Sequence, residues 1–220
     1  MSGDAPQKEL PYSRISPEEM LAQSQKHLTR MRTRRSVREF SPDPIPLEVV
    51  RQCIETAGQA PSGANKQPWS FALITNTELK KKIRVAAEKE ELAFYTERAS
   101  ERWLQDLVPF DTNEEKEFIE IAPALIIIFA KKYGKTKDEQ HYYVNESVGI
   151  ACGFLLTALH NAGLATLTHT PSPMGFLHDI LGRPDNERAY LLIPIGYPAE
   201  NCQVPDIKKL DREQYLHEYK

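Results

Sequence analysis

A basic segment near the start of the chain carries the strongest local signal for ligand binding. Arg34, Arg35 and Arg38 place three guanidinium groups around the hydroxyl of Ser36. Arginine offers forked N–H donors and a fixed positive charge, which together suit a phosphate group. On an extended backbone, Arg34, Ser36 and Arg38 share one face. The alternative interpretation of this cluster, taken alone, is a solvated basic turn.

Three later segments contain polar groups that a ligand could use. The loop 61–65 (Pro-Ser-Gly-Ala-Asn) has a glycine, which allows backbone amides to approach a ligand closely. Thr168 and Thr170 alternate along a predicted strand end and present their hydroxyls on one face. Lys208 and Lys209 add positive charge to the tail. Taken singly, each segment is also an ordinary turn, strand or solvated tail.

Composition and charge exclude several functional classes. A net charge of −3 over 220 residues gives no reason to expect a nucleic acid or an anionic membrane as partner. Three widely separated cysteines predict neither a disulfide framework nor a cysteine metal site, and the histidines lack metal-ligand spacing. No apolar run is long enough for a membrane span, and the polar start is no signal peptide. We therefore expect a cytoplasmic, metal-free protein.

The elements that must position these groups are helices and strands that interleave along the chain, which predicts a layered α/β or α+β domain. Residues 1–15 are polar and read as a flexible arm. The predicted helices are a capped one from Ser16 to about Arg32, one over 47–60, an exposed charged region over 77–106, and an apolar one over 144–162. The predicted strands are 69–75, 125–130, 164–168 and 189–195.

The order of these segments resembles the FMN-dependent nitroreductase superfamily, and the chain is similar to its iodotyrosine deiodinases in particular. The resemblance extends from about Thr29 to Lys209. The segments that suggest it are RRSVREF, APSGANKQPW, EELAFYTERASERW, TNEEKEF, APALIIIF, NAGLATLTHTP and LLIPIGYP. Many short matches in the right order are far more specific than any one of them.

The resemblance implies an α+β sandwich in which helices flank a central, mainly antiparallel sheet. It implies a single FMN-binding domain over 16–220, a lid over about 88–116 and a C-terminal extension over about 198–220. It also implies a homodimer whose subunits exchange terminal segments and build two FMN sites at their interface.

The resemblance further assigns the cofactor FMN to residues already noted. The phosphate and ribityl chain would be held by the basic segment, with Lys209 or its neighbour Lys208 closing the phosphate site. Pro61 and Ser62 would lie on the flavin ring system. Thr170, and with it Thr168, would present a hydroxyl to flavin N5, with Thr170 in the catalytic role. The residues of the basic segment are Arg34, Arg35, Ser36 and Arg38.

The substrate implied by the resemblance is a halogenated tyrosine. Glu91 would bind its ammonium group, Lys116 its carboxylate and Tyr95 would add a hydrogen bond, while the Ala64 amide would meet the phenolate. Glu91 and Tyr95 are four residues apart, so a helix would place them on one face. Without the resemblance, Glu91 and Lys116 would count as solvated surface charges.

The implied activity is reductive dehalogenation of 3-iodo-L-tyrosine and 3,5-diiodo-L-tyrosine to L-tyrosine and iodide, with NAD(P)H or a reductase as the electron donor. The alternative is a general NAD(P)H-dependent nitroreductase or flavin reductase of the same fold. Glu91, Tyr95 and Lys116 distinguish the two, because a general nitroreductase does not need that set. His169 departs from the family pattern, which favours threonine at this position.

Overall fold

The computed structural model describes residues 7–220, which divide into two compact units. The first unit ends at Arg34 and contains helix α1 (Pro17–Arg32). This helix begins as its sequence predicts: the Ser16 hydroxyl accepts a hydrogen bond from the Glu19 amide at 3.2 Å. No residue of α1 is buried.

The first fifteen residues, expected to form an arm, are described only in part. Residues 7–15 form no helix or strand, and the remainder of the expected arm lies outside the described residues. The single domain expected over 16–220 stays a prediction, as do the lid and the C-terminal extension.

The second unit, Arg35–Lys220, is built on a four-stranded sheet. The strand order is β1-β2-β4-β3, and each neighbouring pair is antiparallel. The expected α+β fold with an antiparallel sheet flanked by helices is therefore confirmed. The strands are β1 (Trp69–Ile74), β2 (Ala124–Lys131), β3 (Ala165–Thr166) and β4 (Glu187–Gly196).

The position of β2 at the centre of the sheet explains why its sequence is an unbroken apolar run. Every residue of β2 except Lys131 is buried, because helices cover both faces of the sheet. Ile126 and Ile128 point to one core cluster, while Ile127 and Phe129 point to the other. The two clusters thus form one core layer on each face of the sheet in the second unit.

The helices are distributed over these two layers. Helices α2 and α6 pack on the Ile126 face, whereas α3, α5 and α7 pack on the Ile127 face. Among residues 7–220, no helix is long and apolar enough to cross a membrane. The helices of the second unit are α2 (Leu47–Gly58), α3 (Thr77–Ala93), α4 (Glu101–Leu107), α5 (Phe118–Ile121), α6 (Val144–Asn161) and α7 (Gly175–Leu181).

The structure differs from the sequence prediction mainly in short elements. The expected strand 164–168 reduces to two residues, followed by one isolated bridge between His169 and Leu192. The charged region 77–106 divides into α3, a π-helical turn over Phe94–Arg98, and α4. Helices α5 and α7 are additions that sequence periodicity did not predict, because each is too short to display a period.

Helix α5 depends on a buried lysine from α3. The Lys80 ammonium donates hydrogen bonds to the carbonyls of Glu120 at 2.8 Å and Ala122 at 2.6 Å, at the end of α5. These carbonyls have no continuing helix to satisfy them, so the ammonium group caps them. Burial lowers the pKa of Lys80, and the nearby Glu120 opposes that shift. Lys80 thereby fixes the segment that follows Lys116.

We expect Lys80→Met to lower the free energy of unfolding by about 1–3 kcal/mol, because it removes the ammonium donor from the buried Ala122 carbonyl and the partly buried Glu120 carbonyl. The exposed neighbour Lys81 provides the control. Lys81→Met should change stability by less than about 0.5 kcal/mol. Urea denaturation of both variants tests this, and equal stability would contradict the capping role.

Candidate active site

A pocket of about 700 Å³ brings together predicted residues that are far apart in the sequence. It lies on the α3 side of the sheet, between the end of α3, the segment before α5 and the segment 167–170 that follows β3. Its lining thus joins predicted flavin ligands to predicted substrate ligands. Among the lining residues are Arg38, Glu91, Tyr95, Lys116, Thr168 and Thr170.

The basic segment extends the sheet at its β3 edge. Ser36 forms an isolated parallel bridge with Thr166, and the Val37 amide donates to the Thr166 carbonyl at 3.0 Å. This pairing keeps the segment extended, so Ser36 and Arg38 share one face, as predicted, and Val37 enters the core. Burial lowers the pKa of Arg38, which still leaves its guanidinium charged at neutral pH.

Arg35 fastens the tail to the basic segment. Its guanidinium donates a hydrogen bond to the Pro205 carbonyl, which anchors the start of segment 205–209 beside the arginines. Lys208 and Lys209 follow in this segment and are exposed. Arg34 belongs to the unit that it ends, where its amide donates to Met31. The structure thus places the start of this segment beside Arg35, and the phosphate site expected from Arg34, Arg35, Ser36, Arg38 and Lys209 stays a prediction.

Glu91 and Lys116 form a buried ion pair in the wall of the pocket. The Lys116 Nζ lies 3.3 Å from Glu91 Oε2, and the two side chains are only 6% and 13% exposed. Lys116 Nζ also lies 5.7 Å from the centre of the Tyr95 ring. These three residues therefore meet as predicted, and the interpretation of Glu91 and Lys116 as solvated charges is wrong. Opposite charges in such a dry position stabilise each other strongly.

Three further hydrogen bonds hold this pair in place. The Glu88 carboxylate accepts from the Lys116 amide at 2.9 Å and from the Arg84 guanidinium at 2.8 Å. The Lys116 ammonium also donates to the Asn113 carbonyl. Lys116 is thus fixed to α3 through its backbone, while its side chain reaches Glu91. The hydrogen bond from the Lys116 amide to the Glu88 carboxylate thus closes the segment between these two residues into a loop.

Burial sets the protonation tendencies of the pair. It raises the pKa of Glu91, and the Lys116 ammonium opposes that rise. It lowers the pKa of Lys116, and the Glu91 carboxylate opposes that fall. Each group therefore stabilises the charged form of the other. A ligand that separates the two must supply a new countercharge to each.

The Tyr95 hydroxyl lies in the same wall. It donates to Thr112 Oγ1 at 2.9 Å, and burial raises the pKa of the phenol. Phe94 packs edge-on against both Tyr95 and Trp103, with ring centroids 5.2 and 4.9 Å away. Phe94 and Trp103 also line the pocket. The charged wall is therefore continued by an aromatic one, which suits a ligand with an ionic end and a ring.

His169 is a buried polar group that the sequence prediction left without a role. Thr168, His169 and Thr170 all line the pocket, but the two threonines are exposed, whereas the His169 side chain is only 11% exposed. Its Nε2 lies 3.8 Å from Glu91 Oε1 and has no hydrogen-bond partner among residues 7–220. Burial, with the charges of Lys116 and Arg38, lowers the pKa of His169 to about 3. The imidazole is therefore neutral at physiological pH.

The loop with Pro61, Ser62 and Ala64 lies away from this pocket. None of residues 61–67, all of which the structure describes, is part of its lining. Gly63 lies so close to Tyr143 that a Cβ atom would be 2.9 Å from the ring, so a larger residue here would force the Tyr143 side chain to shift. Ala64 is exposed with φ 48°, a left-handed conformation that non-glycine residues rarely adopt. Such strain is concentrated at functional sites.

Several residues of the site escaped the sequence prediction. Glu88, Thr112 and His169 support the three predicted substrate ligands, yet each lies in a charged or polar stretch with no distinguishing pattern. Only the departure of His169 from the threonine pattern was a signal. Within residues 7–220, no group of histidine, cysteine or acidic side chains is arranged to hold a metal ion.

Comparisons with known proteins identify the family to which the chain belongs. The nitroreductase family model matches residues 31–197. The iodotyrosine deiodinase of Haliscomenobacter hydrossis is 53% identical over 215 residues, which cover 96% of this chain and 97% of that protein. The iodotyrosine deiodinase of Danio rerio is 46% identical over 208 residues, covering 92% and 70%.

The solved structures include an iodotyrosine deiodinase bound to FMN and 3-iodo-L-tyrosine. It has a TM-score of 0.75 and 28% identity, covering 87% of this chain and 99% of that one. The family model covers most of this chain, and the bacterial relative matches it along nearly the whole length. The chain therefore belongs to the nitroreductase family and, within it, to the iodotyrosine deiodinases.

Proposed function

We propose that the chain is an FMN-dependent enzyme that converts halogenated tyrosines, such as 3-iodo-L-tyrosine and 3,5-diiodo-L-tyrosine, into L-tyrosine and halide. The buried pair of Glu91 and Lys116 in the pocket wall carries this proposal. A free amino acid has one ammonium and one carboxylate, so two opposite charges 3.3 Å apart match its head group in number and sign. Membership in the iodotyrosine deiodinases supports the same substrate class.

The head group would bind by exchanging partners with this ion pair. Glu91 would turn to the ammonium and Lys116 to the carboxylate, so that each buried charge keeps an opposite charge beside it. The Tyr95 hydroxyl, which now donates to Thr112, would add a hydrogen bond. A ligand with only one of the two charges would leave the other member of the pair unpaired, and it would bind more weakly.

The lid proposed over 88–116 would cover the bound ring. Trp103, from α4, lines the pocket but remains 56% exposed, so it has apolar surface still available for a ligand. Phe94 stands between Trp103 and Tyr95. Closing this aromatic wall over the substrate would exclude water and strengthen each polar contact inside.

The residues around the pocket fit FMN. Arg38 is half-buried and has no carboxylate within ion-pair distance among residues 7–220, so its charge is available for a phosphate. Arg34, Arg35, Ser36 and Lys209 would complete the phosphate and ribityl contacts. Thr168 and Thr170 present exposed hydroxyls, and Thr170 would donate to flavin N5. FMN, when bound, supplies the electrons that cleave the carbon–halogen bond.

A second copy of the chain would complete the site. Pro61 and Ser62, assigned to the flavin ring, and Ala64, assigned to the substrate phenolate, lie in a loop that does not line the pocket holding Arg38. A single chain would therefore carry part of the predicted ligands in the pocket and the rest in the separate loop 61–65. A homodimer in which the loop of one subunit reaches the pocket of the other would unite them.

The surface of α6 is suited to this dimer. Ile150 and Phe154 are one turn apart on its outer face and are 43% and 40% exposed. The loop 61–65 lies beside Tyr143, immediately before α6. The tail adds further exposed apolar residues, including Leu210 and Tyr215, that a partner could cover. Exchange of such terminal segments between subunits would bury them.

Two electrons and one proton convert each carbon–iodine bond into a carbon–hydrogen bond and iodide. We propose that NAD(P)H or a reductase supplies the electrons and that the enzyme works in the cytoplasm. No nucleic acid or membrane partner is needed for this activity.

The first expected outcome is deiodination itself. The purified protein should retain FMN and, after anaerobic reduction with dithionite, should release L-tyrosine and iodide from 3-iodo-L-tyrosine faster than free reduced FMN does. Chromatography of tyrosine measures this directly. Retained FMN with no tyrosine release, together with rapid reduction of a nitroarene by NAD(P)H, would favour the general nitroreductase instead.

Removing either charge of the ion pair should weaken substrate binding and spare the flavin. We expect Glu91→Gln and Lys116→Met each to lower the affinity for 3-iodo-L-tyrosine by about 10- to 100-fold, because each loses a charge-assisted hydrogen bond. Titration calorimetry on the oxidised holoprotein measures the affinity, and absorbance measures retained FMN.

The exposed lid residue Glu97 and the exposed Lys89 on α3 provide matched controls, Glu97→Gln and Lys89→Met, which should bind normally. The double variant Glu91→Gln/Lys116→Met leaves no uncompensated charge and should fold stably while still binding poorly. Loss of FMN from this double variant would show that the pair is structural and not a substrate clamp.

A charge on the outer face of α6 should separate the subunits. We expect Phe154→Glu to be monomeric by sedimentation velocity and to lose FMN, because each site would lack its second loop. Val85→Glu, on an α3 position that is 61% exposed, should remain dimeric and yellow. A wild-type monomer that binds FMN fully would contradict the shared site.

A further inference from the structure

His169 stands behind Glu91 with an unused hydrogen-bonding atom. Its Nε2 is fully buried and unpartnered among residues 7–220, and it faces Glu91 Oε1 at 3.8 Å. Buried polar atoms without partners are rare in folded proteins and call for an explanation. A shift of less than about 1 Å would bring the two atoms to hydrogen-bond distance.

The surroundings fix the imidazole and leave it little freedom. The His169 backbone exchanges two hydrogen bonds with Leu192 on β4, at 2.8 and 3.0 Å. Phe118 packs edge-on against its ring, with centroids 5.4 Å apart. The ring is thus held between the sheet and the segment that follows Lys116, with Nε2 directed at Glu91.

If the Glu91–Lys116 pair separates on substrate binding, as proposed above, Glu91 needs another hydrogen-bond donor. Lys116 lies near Oε2 of Glu91 and His169 lies near Oε1, so the two side chains are next to different oxygens of the same carboxylate. When Lys116 turns to the substrate carboxylate, Glu91 loses its donor in a site where burial raises its pKa. A second donor at Oε1 would keep Glu91 oriented and ionised for the incoming ammonium.

We propose that His169 is a positioning residue that donates its Nε2–H to Glu91 Oε1, and so holds the carboxylate ready for the ammonium of the substrate. The inference rests on the proposed function. A neutral donor is the right one for this task, since it stabilises the carboxylate without cancelling its charge. A cation in the same place would compete with the substrate ammonium for Glu91.

Burial and the charged neighbours keep the imidazole neutral. Burial is the main cause of the lowered pKa of His169, and the charges of Lys116 and Arg38 lower it further. A neutral imidazole carries one N–H, and the adjacent carboxylate selects the tautomer with that proton on Nε2. This gives a prediction that needs no substrate.

Nitrogen-15 NMR of histidine-labelled oxidised holoprotein should show His169 as the neutral Nε2–H tautomer throughout pH 6 to 8. The His169→Gln spectrum assigns the signal. The Nδ1–H tautomer or an imidazolium would overturn the proposal, because neither matches a neutral donor directed at Glu91.

Binding of two matched ligands then tests the role. 3-Iodo-L-tyrosine carries the ammonium, and 3-(3-iodo-4-hydroxyphenyl)propanoic acid has the same ring and carboxylate without it. We expect His169→Phe to lose about 10-fold or more in affinity for the amino acid and less than about twofold for the acid. His169→Gln, whose side-chain amide nitrogen can replace Nε2–H, should restore most of the loss. His178→Phe, on α7, is the control and should bind both ligands normally.

The outcomes separate this inference from the function on which it rests. Equal losses for both ligands, or unchanged affinity for the amino acid in His169→Phe, would overturn the positioning role while leaving the deiodinase proposal intact. Failure of the wild-type protein to bind 3-iodo-L-tyrosine would remove the proposed function and this role with it. Preferential loss in His169→Phe with rescue in His169→Gln supports both.

Discussion

The burial of one negative and one positive charge side by side is the constraint on which the site depends. Transferring either Glu91 or Lys116 alone from water into this wall would cost several kcal/mol, and the pair remains ionised because each compensates the other. The chain must therefore bring the end of α3 against the segment before α5. Glu88 does so through the Lys116 amide, and Lys80 holds the far end of α5.

The sheet provides the rigid frame for this arrangement. Strand β2 is covered on both faces, so the pocket side of the sheet cannot move without disturbing the other core cluster. The basic segment is hydrogen-bonded to Thr166 of β3, and the backbone of His169 is hydrogen-bonded to Leu192 of β4. The predicted flavin ligands Arg38 and Thr170 thus lie next to backbone that is paired with the sheet. The predicted substrate ligands Glu91, Tyr95 and Lys116 instead lie at the end of α3 and in the segments between α3 and α5.

The sequence predicted the central strand β2 better than the short helix α5. The run 125–130 has a strand signature because it is buried on both faces, so the structure extends it by only one residue at each end. Helix α5 has no such signature, because its stability comes from Lys80 and from packing, not from its own period. Family motifs were therefore needed to single out Lys116.

The charged region 77–106 also contains a feature that its sequence does not predict, the burial of Glu91. Its composition indicates a solvated helix, and most of its charges are indeed exposed or paired at the surface. Glu91 is buried only because Lys116, from outside the region, meets it. Burial of a charge is a property of the pair, and no pattern local to either residue can reveal it. His169 is hidden for the same reason, since its neighbour Glu91 lies 78 positions away in the sequence.

A self-neutralising pair also explains how such a pocket can be selective. Without ligand the pair satisfies itself, so a monovalent ion gains little by entering, because it would leave one buried charge uncompensated. A zwitterion replaces one ion pair with two and leaves the net charge of the site unchanged. The exchange is favourable only if both protein charges survive the separation, and at that step the protonation state of Glu91 decides the outcome. If Glu91 and Lys116 bind the substrate as proposed, selectivity for amino acids and the proposed donation from His169 to Glu91 would follow from one electrostatic requirement.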